Sequence, residues 1–239
     1  MRRVSADLEL ALSLADAADA ISLPRFRAAD LHVETKPDLT PVTDADRAVE
    51  RALRDLLALE RPDEAILGEE EGGAGEAAVR WLVDPIDGTK NFTRRIPVWA
   101  TLVALERDGE SVCGVVSAPA LGRRWWAARG EGAYRDGEPI RVSGVGMLAD
   151  ATVSCSYADD LAAFEPVVRH TRGFGDFWQH MLVAEGAVDV AVDAELRRWD
   201  VAAVEVVVRE AGGRVEAWRG RVASSNGLVH EEARSLTGR

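Results

Sequence analysis

Two carboxylates three positions apart, Asp84 and Asp87, stand at the end of an apolar run and are followed at once by Gly88-Thr89. Trp81, Leu82 and Val83 predict the last residues of a buried strand. Pro85 cannot donate to a sheet ladder, so the chain is expected to turn where the carboxylates appear. Gly88 permits close backbone approach, and Thr89 adds a hydroxyl. Paired hard oxygen donors at a strand end, beside a Gly-Thr step, suit divalent cations held next to a phosphate. An Asp-rich turn that merely caps a strand would use the same residues.

Three further acids bear on the choice. Glu69 follows a short strand, Ala65-Ile66-Leu67, at Gly68. Asp46 lies in the first turn of a helix that Thr43 is placed to cap. Asp200 opens a late helix at Trp199-Asp200. Each has an ordinary explanation: Glu69 as a solvated loop acid, Asp46 and Asp200 as complements to helix dipoles. Their joint occurrence with Asp84-Pro85-Ile86-Asp87-Gly88-Thr89 points instead to a carboxylate cluster drawn from distant parts of the chain.

The elements that must bring them together follow from periodicity. Residues 5–28 repeat Leu and Ala at helical spacing, with Leu8, Leu12, Ala15 and Ala18 on one stripe. Residues 31–43 are extended and broken by proline, which predicts a hairpin or flap. A second helix follows Thr43, with Val49, Leu53, Leu56 and Leu57 inward, and Arg61-Pro62-Asp63 ends it. A polar, Gly-rich loop at 72–77 leads to the strand before Asp84. Residues 98–142 predict an antiparallel meander with turns at Asp108-Gly109 and Asp136-Gly137. From about 143 the pattern changes. It predicts a strand at 152–156, a helix at about 159–170, a helix after Gly175-Asp176 and a strand at 188–192. The strong helix from Trp199 ends at Gly212-Gly213, and strands at 214–218 and 222–225 precede a short tail helix. The expected architecture is α+β, with an N-terminal half over 1–142 packed closely on a C-terminal half over 143–239.

Composition narrows the partners. The chain has 239 residues and a formal charge of −12, from 29 Lys+Arg against 41 Asp+Glu. That balance argues against nucleic acid as a main partner. Cys113 and Cys155 are the only cysteines, and both lie in apolar, strand-like runs. Buried free thiols in a reducing compartment are expected. The N-terminal stretch is interrupted by Asp7, Glu9, Asp16 and Asp19 and lacks a secretory core, and no run reaches the length of a membrane span. A cytoplasmic protein without membrane contact is expected.

The chain resembles the inositol monophosphatase superfamily of metal-dependent phosphatases over nearly its whole length. Gly68-Glu69-Glu70 is similar to that family's Gly-Glu-Glu element. Asp84-Pro85-Ile86-Asp87-Gly88-Thr89 matches its first signature without departure, and Trp199-Asp200-Val201-Ala202-Ala203 matches its second. Ala223–Leu228 resembles its Asn-containing stretch. The resemblance implies a layered αβαβα sandwich of the inositol monophosphatase and sugar phosphatase type, and commonly a homodimer. It implies two or three Mg²⁺ ions on Glu69, Asp84, Asp87, Asp200 and the Ile86 carbonyl. It also implies that Thr89 and Asp46 orient and deprotonate a water, with Glu70 assisting at a weakly held third ion or a bound water. Gly88 and Thr89 would offer backbone amides to the phosphate of a small ester substrate.

Within that superfamily the chain resembles bacterial histidinol-phosphate phosphatases of the actinobacterial type. The flap Val33–Thr43, Ser117-Ala118-Pro119-Ala120 with Arg123-Arg124-Trp125-Trp126, and Gly175-Asp176-Phe177 carry that likeness. Inositol phosphatases usually have Gly-Ser-Ala where this chain has Gly175-Asp176-Phe177. An acidic pocket of Asp176 and Asp193, with Glu195 beside them, would favour an ammonium-bearing leaving group over a neutral polyol. Asp193 lies seven residues before Asp200, where inositol-type enzymes carry a polyol-contacting Glu. Trp125, Trp126 and Trp178 are candidates to wall an imidazole pocket, or are core. His32, His170, His180 and His230 lack zinc-ligand spacing. The resemblance implies hydrolysis of L-histidinol phosphate. The alternatives are inositol phosphate, a sugar bisphosphate or a 3′-phosphoadenosine nucleotide as substrate, or a catalytically silent metal-binding scaffold.

Overall fold

A computed structural model describes residues 5–73, 77–194, 197–218 and 220–236. Helix α1 (Ala6–Arg25) starts where the Ser5 hydroxyl accepts the Leu8 N–H at 3.3 Å. A hairpin of β1 (Val33–Thr35) and β2 (Pro41–Thr43) follows, as the flap pattern predicts. Thr43 then caps α2 (Asp44–Glu60) through a capping box with Asp46. Val49, Leu53 and Leu57 of α2 are buried against Leu8, Leu14 and Ala18 of α1, and Leu56 is half-buried.

The next segments build a sheet. They are β3 (Ala65–Gly68), β4 (Gly72–Gly73), β5 (Val79–Asp87), the short helix α3 (Thr89–Thr93), β6 (Ala100–Arg107), β7 (Glu110–Ala118), β8 (Arg123–Ala128), β9 (Gly132–Arg135) and β10 (Glu138–Ile140). Among the described residues this sheet has eight strands, in the order β10-β9-β8-β7-β6-β5-β3-β4. Asp108-Gly109 and Asp136-Gly137 have positive φ at both residues, the primed-turn geometry that matches strand twist.

The C-terminal part supplies β11 (Thr152–Cys155), α4 (Ala158–Phe164), β12 (His170–Arg172), α5 (Asp176–Ala184), β13 (Val190–Asp193), α6 (Arg198–Glu210), β14 (Arg214–Trp218), β15 (Arg221–Ser225) and α7 (His230–Leu236). Its sheet runs β12-β11-β13-β15-β14. The helix expected over about 159–170 stops at Phe164, and His170–Arg172 forms an edge strand instead. His-Thr-Arg is too short and polar to announce a strand; pairing with β11 makes it one.

Strand alternation sorts the side chains into layers. Trp81, Val83, Val103 and Leu105 face α1 and α2. Leu82, Leu102, Ala104 and Val116 face the other way, onto Met181 of α5 and Ala203 and Val207 of α6. Those two helices also touch β13, β14 and β15 of the second sheet. Beyond that sheet, Phe164 at the end of α4 and Ala233 of α7 pack on Val153, Val190 and Val192. The order helix, sheet, helix, sheet, helix is the expected αβαβα sandwich. Helix α6 sits very close to β7: a Cβ on Gly114 would lie 2.8 Å from the Ala203 Cα. Among the described residues no helix is long and apolar enough to cross a membrane. Cys113 and Cys155 are buried and unpaired, and burial pushes both thiols up to about 12.

Candidate active site

The topology explains how distant acids meet. β3 and β5 are parallel, with Gly68 opposite Val83, so their ends deliver Glu69 beside Asp84. The Glu69 N–H donates to the Val83 carbonyl at 3.2 Å. β5 does not end at Pro85, as a simple proline turn would require. It continues to Asp87, with one extra residue between Asp84, opposite Leu102, and Asp87, opposite Ala100. This bulge absorbs the proline and re-aims both carboxylates. The Thr101 hydroxyl holds the bulge by donating to the Pro85 carbonyl at 2.8 Å. Asp84 accepts the Ile86 N–H at 3.0 Å. Across the middle helix layer, Asp200 stands in the first turn of α6, where it accepts the Arg197 N–H at 2.7 Å.

One cleft is lined by Glu69, Asp84, Ile86, Asp87, Gly88, Thr89, Asp176 and Asp200, together with Thr40, Pro41 and Lys90. Burial holds the carboxyls of Asp84 and Asp87 well above the ordinary range. The acids crowding Asp84 are Glu69, Asp87 and Asp200; those crowding Asp87 are Asp176, Asp200 and Asp193. Asp200 is pushed up to about 7, again chiefly by burial. The Phe177 N–H donates to Asp87 at 2.7 Å, a weak offset for a full negative charge.

Thr89 and Asp46 meet beside the Asp84–Asp87 bulge. The Thr89 hydroxyl lies 2.9 Å from the Ile86 carbonyl and 3.3 Å from Asp46 Oδ1. Asp46 Oδ2 accepts both the N–H and the hydroxyl of Thr43, at 2.8 and 2.5 Å. Asp46 is fully buried, and that burial, with Glu69 and Glu70 nearby, raises its carboxyl to about 6 against the Thr43 donors. Glu70 does not line the cleft: its carboxylate and that of Glu69 both bind the Lys36 ammonium of the flap, at 2.7 Å each. The two acids outweigh the burial of Lys36 and raise it.

Asp176 and Asp193 part company. Asp176 lines the cleft, takes φ +50°, unusual for a residue with a side chain, and accepts Asn91 Nδ2 at 3.1 Å. Burial and Asp193 push it up to about 6, with Lys90 opposing. Asp193 is not among the lining residues, and its oxygens are engaged: the Ala194 N–H donates at 2.8 Å and Gln179 Nε2 at 3.0 Å. Burial would raise Asp193, but His180 3.8 Å away and its donors hold it below the usual range. Glu195 lies outside the described residues. The tryptophans do not wall the cleft. Trp125 is buried and donates to Glu185 at 2.6 Å, Trp126 stacks on Tyr134, and Trp178 packs edge-on against Trp125. His180 and His230 are buried on Ser224 and Ser225, while His32 and His170 are exposed.

The donor set is oxygen only, free of sulfur and imidazole, which fits Mg²⁺. Asp84 is buried and Asp87 half-buried, and among the described residues neither bonds an Arg or Lys, which suits a cation from outside the chain. The side chains are gathered but not closed around one point: among the described residues no three acidic, imidazole or thiol groups form a ready cation cage.

Sequence reasoning missed Lys36, Asn91, Gln179 and Glu50 as neighbours of this cleft. Glu50 alone left a signal, a charged residue beside the buried stripe of an amphipathic helix.

Comparison with known proteins agrees with this architecture. The extragenic suppressor protein SuhB of Bartonella henselae has the same fold, with a TM-score of 0.90 at 28% identity over 98% of this chain and 99% of that one. The chain belongs to the inositol monophosphatase family, whose model matches residues 4–239. Among relatives, the histidinol-phosphatase of Mycobacterium tuberculosis is 49% identical, with 95% of each chain covered. That of Streptomyces coelicolor is 47% identical, covering 95% of this chain and 94% of its own.

Proposed function

We propose that this protein is a Mg²⁺-dependent phosphomonoesterase that hydrolyses L-histidinol phosphate to L-histidinol and phosphate. The observation that carries the reading is the single cleft in which Glu69, Asp84, Asp87 and Asp200 meet next to Thr89. The two histidinol-phosphatases at nearly half identity supply the substrate.

Two or three Mg²⁺ would be held by those four carboxylates and the Ile86 carbonyl. When bound, Mg²⁺ offsets the acids and the ester phosphate and makes water more acidic. The chain's own residues then position and move the proton. Thr89 has one hydroxyl hydrogen for two acceptors, so when it serves Asp46 its lone pairs face the attacking water. Asp46 receives that proton as base, since burial makes it a stronger base than an exposed Asp. The Thr43 donors fix its other oxygen. Gly88 caps α3 and Thr89 starts it, a position whose N–H groups a helix leaves without an internal partner, so they would be offered to phosphate oxygens. Glu70 acts from behind Glu69, at a third ion or a bound water. Water passes a proton through Thr89 to Asp46 as it adds to phosphorus, the P–O bond to the alcohol breaks, the leaving alkoxide takes a proton from solvent water, and no phosphoenzyme forms.

Asp176 selects the leaving group. It is a half-buried acid at the cleft wall with no bonded cation among the described residues, and the ammonium of histidinol would supply one. Asp193 supports it from behind. We further read the protein as a cytoplasmic homodimer, with two buried unpaired thiols consistent with a reducing compartment.

Phosphate release from L-histidinol phosphate, inositol 1-phosphate, fructose 1,6-bisphosphate and 3′-phosphoadenosine 5′-phosphate, with Mg²⁺ and with EDTA, tests the reading. Histidinol phosphate turnover that vanishes in EDTA is expected. Faster hydrolysis of inositol phosphate would move the specificity elsewhere in the family. Silence on every ester would leave a scaffold.

A further inference from the structure

Glu50 is fully buried on α2 and is not among the residues that line the active-site cleft. Its carboxylate nevertheless organises the turn that carries Glu69. Oε2 accepts the Glu70 N–H at 2.7 Å, and Oε1 accepts the Glu71 N–H at 3.0 Å. Arg54, one helical turn on, matches the charge by donating to Oε1 from Nε at 2.9 Å and from Nη2 at 2.8 Å. The same guanidinium donates to the Gly72 carbonyl. One ion pair on α2 therefore grips the Glu69–Gly72 turn at both ends.

Gly68 completes the fit. A Cβ there would lie 2.2 Å from Glu50 Oε1 and 2.4 Å from its carboxyl carbon. The glycine before Glu69 is thus a demand of this carboxylate as much as of the turn itself. With the Glu69 N–H on Val83, the Glu69 backbone is held from the sheet on one side and from α2 on the other.

We infer that Glu50 is a positioning residue for metal binding: paired with Arg54 and seated on Gly68, it fixes the turn that aims Glu69 at the cation. The inference rests on the reading of Glu69 as a Mg²⁺ ligand. Because Arg54 balances its charge, Glu50 does not compete for the ion. Its two backbone bonds are what matter: Glu50→Gln keeps one acceptor oxygen and turns an NH₂ donor toward a second N–H or the guanidinium. The turn then loses a buried hydrogen bond.

The test uses the full chain stripped of metal and titrated with Mn²⁺, free ion being followed by electron paramagnetic resonance. Glu50→Gln, shown to be folded by its melting transition, is expected to bind Mn²⁺ about tenfold more weakly, as losing a partner of a ligand does. KM for the ester at saturating Mg²⁺ should stay at the wild-type value, and raised Mg²⁺ should restore kcat. Hydrogen exchange at the Glu70 and Glu71 amides should quicken. Unchanged Mn²⁺ affinity in the folded variant would overturn the inference. If Glu50→Gln does not fold, Arg54→Gln decides: a smaller loss of Mn²⁺ affinity supports the brace, and wild-type affinity overturns it. Wild-type protein that binds no Mn²⁺ would overturn the ligand reading of Glu69, and this inference with it.

Discussion

Two kinds of carboxylate stand in contrast within this protein. Glu50 and Glu106 are each matched by guanidinium groups: Glu50 by Arg54, and Glu106 by Arg80 at 2.6 Å and Arg198 at 2.6 Å. Asp84 is buried and Asp87 half-buried, and among the described residues they face other acids and backbone N–H groups. The first kind braces the scaffold. Glu50 holds the turn of Glu69, and Glu106 holds Arg198, two residues before Asp200, at the start of α6. The second kind stores an electrostatic cost that a bound cation would relieve. An acid left without a partner where the fold could have supplied one marks the functional face. Burial by itself does not, since both kinds share it.

Predictions can break that contrast. The largest effect should come from Asp87→Asn: kcat should fall about 10³-fold, in the range seen when one preorganised charge-stabilising group is removed. The same change removes an uncompensated charge, so the metal-free melting temperature should hold or rise. A marked fall would place Asp87 with the braces. Glu106→Gln should do the reverse, costing about 3 kcal/mol in urea unfolding because Arg80 and Arg198 lose their shared acid. A cost no larger than that of a surface pair, under about 1 kcal/mol, would remove the brace.

The pH dependence separates the two kinds without mutation. Asp200 has an ordinary value of 3.8 and about 7 in the folded, metal-free protein, and Asp84 and Asp87 are raised as well. Between those limits the folded state binds more protons than the unfolded one, so stability falls as pH rises. Chemical denaturation in EDTA should therefore show its greatest stability near the acid end of that window and a loss by the time pH passes Asp200's folded value. Saturating Mg²⁺ should flatten the slope, because bound metal keeps the acids ionised. A slope unaffected by Mg²⁺ would detach these acids from any cation. The smallest effect should be Asp176→Asn, raising KM for histidinol phosphate about tenfold with little change in kcat, the worth of one charged hydrogen bond. An unchanged KM would take the ammonium away from Asp176.

Much of this was legible beforehand, for reasons that differ by element. Asp84, Asp87 and Thr89 sit within six consecutive residues, so their proximity needs no tertiary information. Asp46 was legible through Thr43, because a capping box is local. The meander was legible through its paired Asp-Gly turns. The bulge at Pro85 was not, since it depends on which residues of β6 lie opposite. Neither was β12, which exists only as a partner of β11. Asp176 and Asp193 looked alike as acids near a helix and a strand; their different exposure was set by Gln179 and Asn91, which reach them from other elements.

Sequence by itself determined the donor chemistry, the helices and strands that carry it, and the spacing within each short motif, because side-chain type and backbone propensity are local properties. Tertiary structure decided which acids share one cleft and which are silenced by arginines. Whether a buried charge is neutralised depends on what lies within a few ångströms of it, and in this fold those neighbours are often dozens of residues away along the chain.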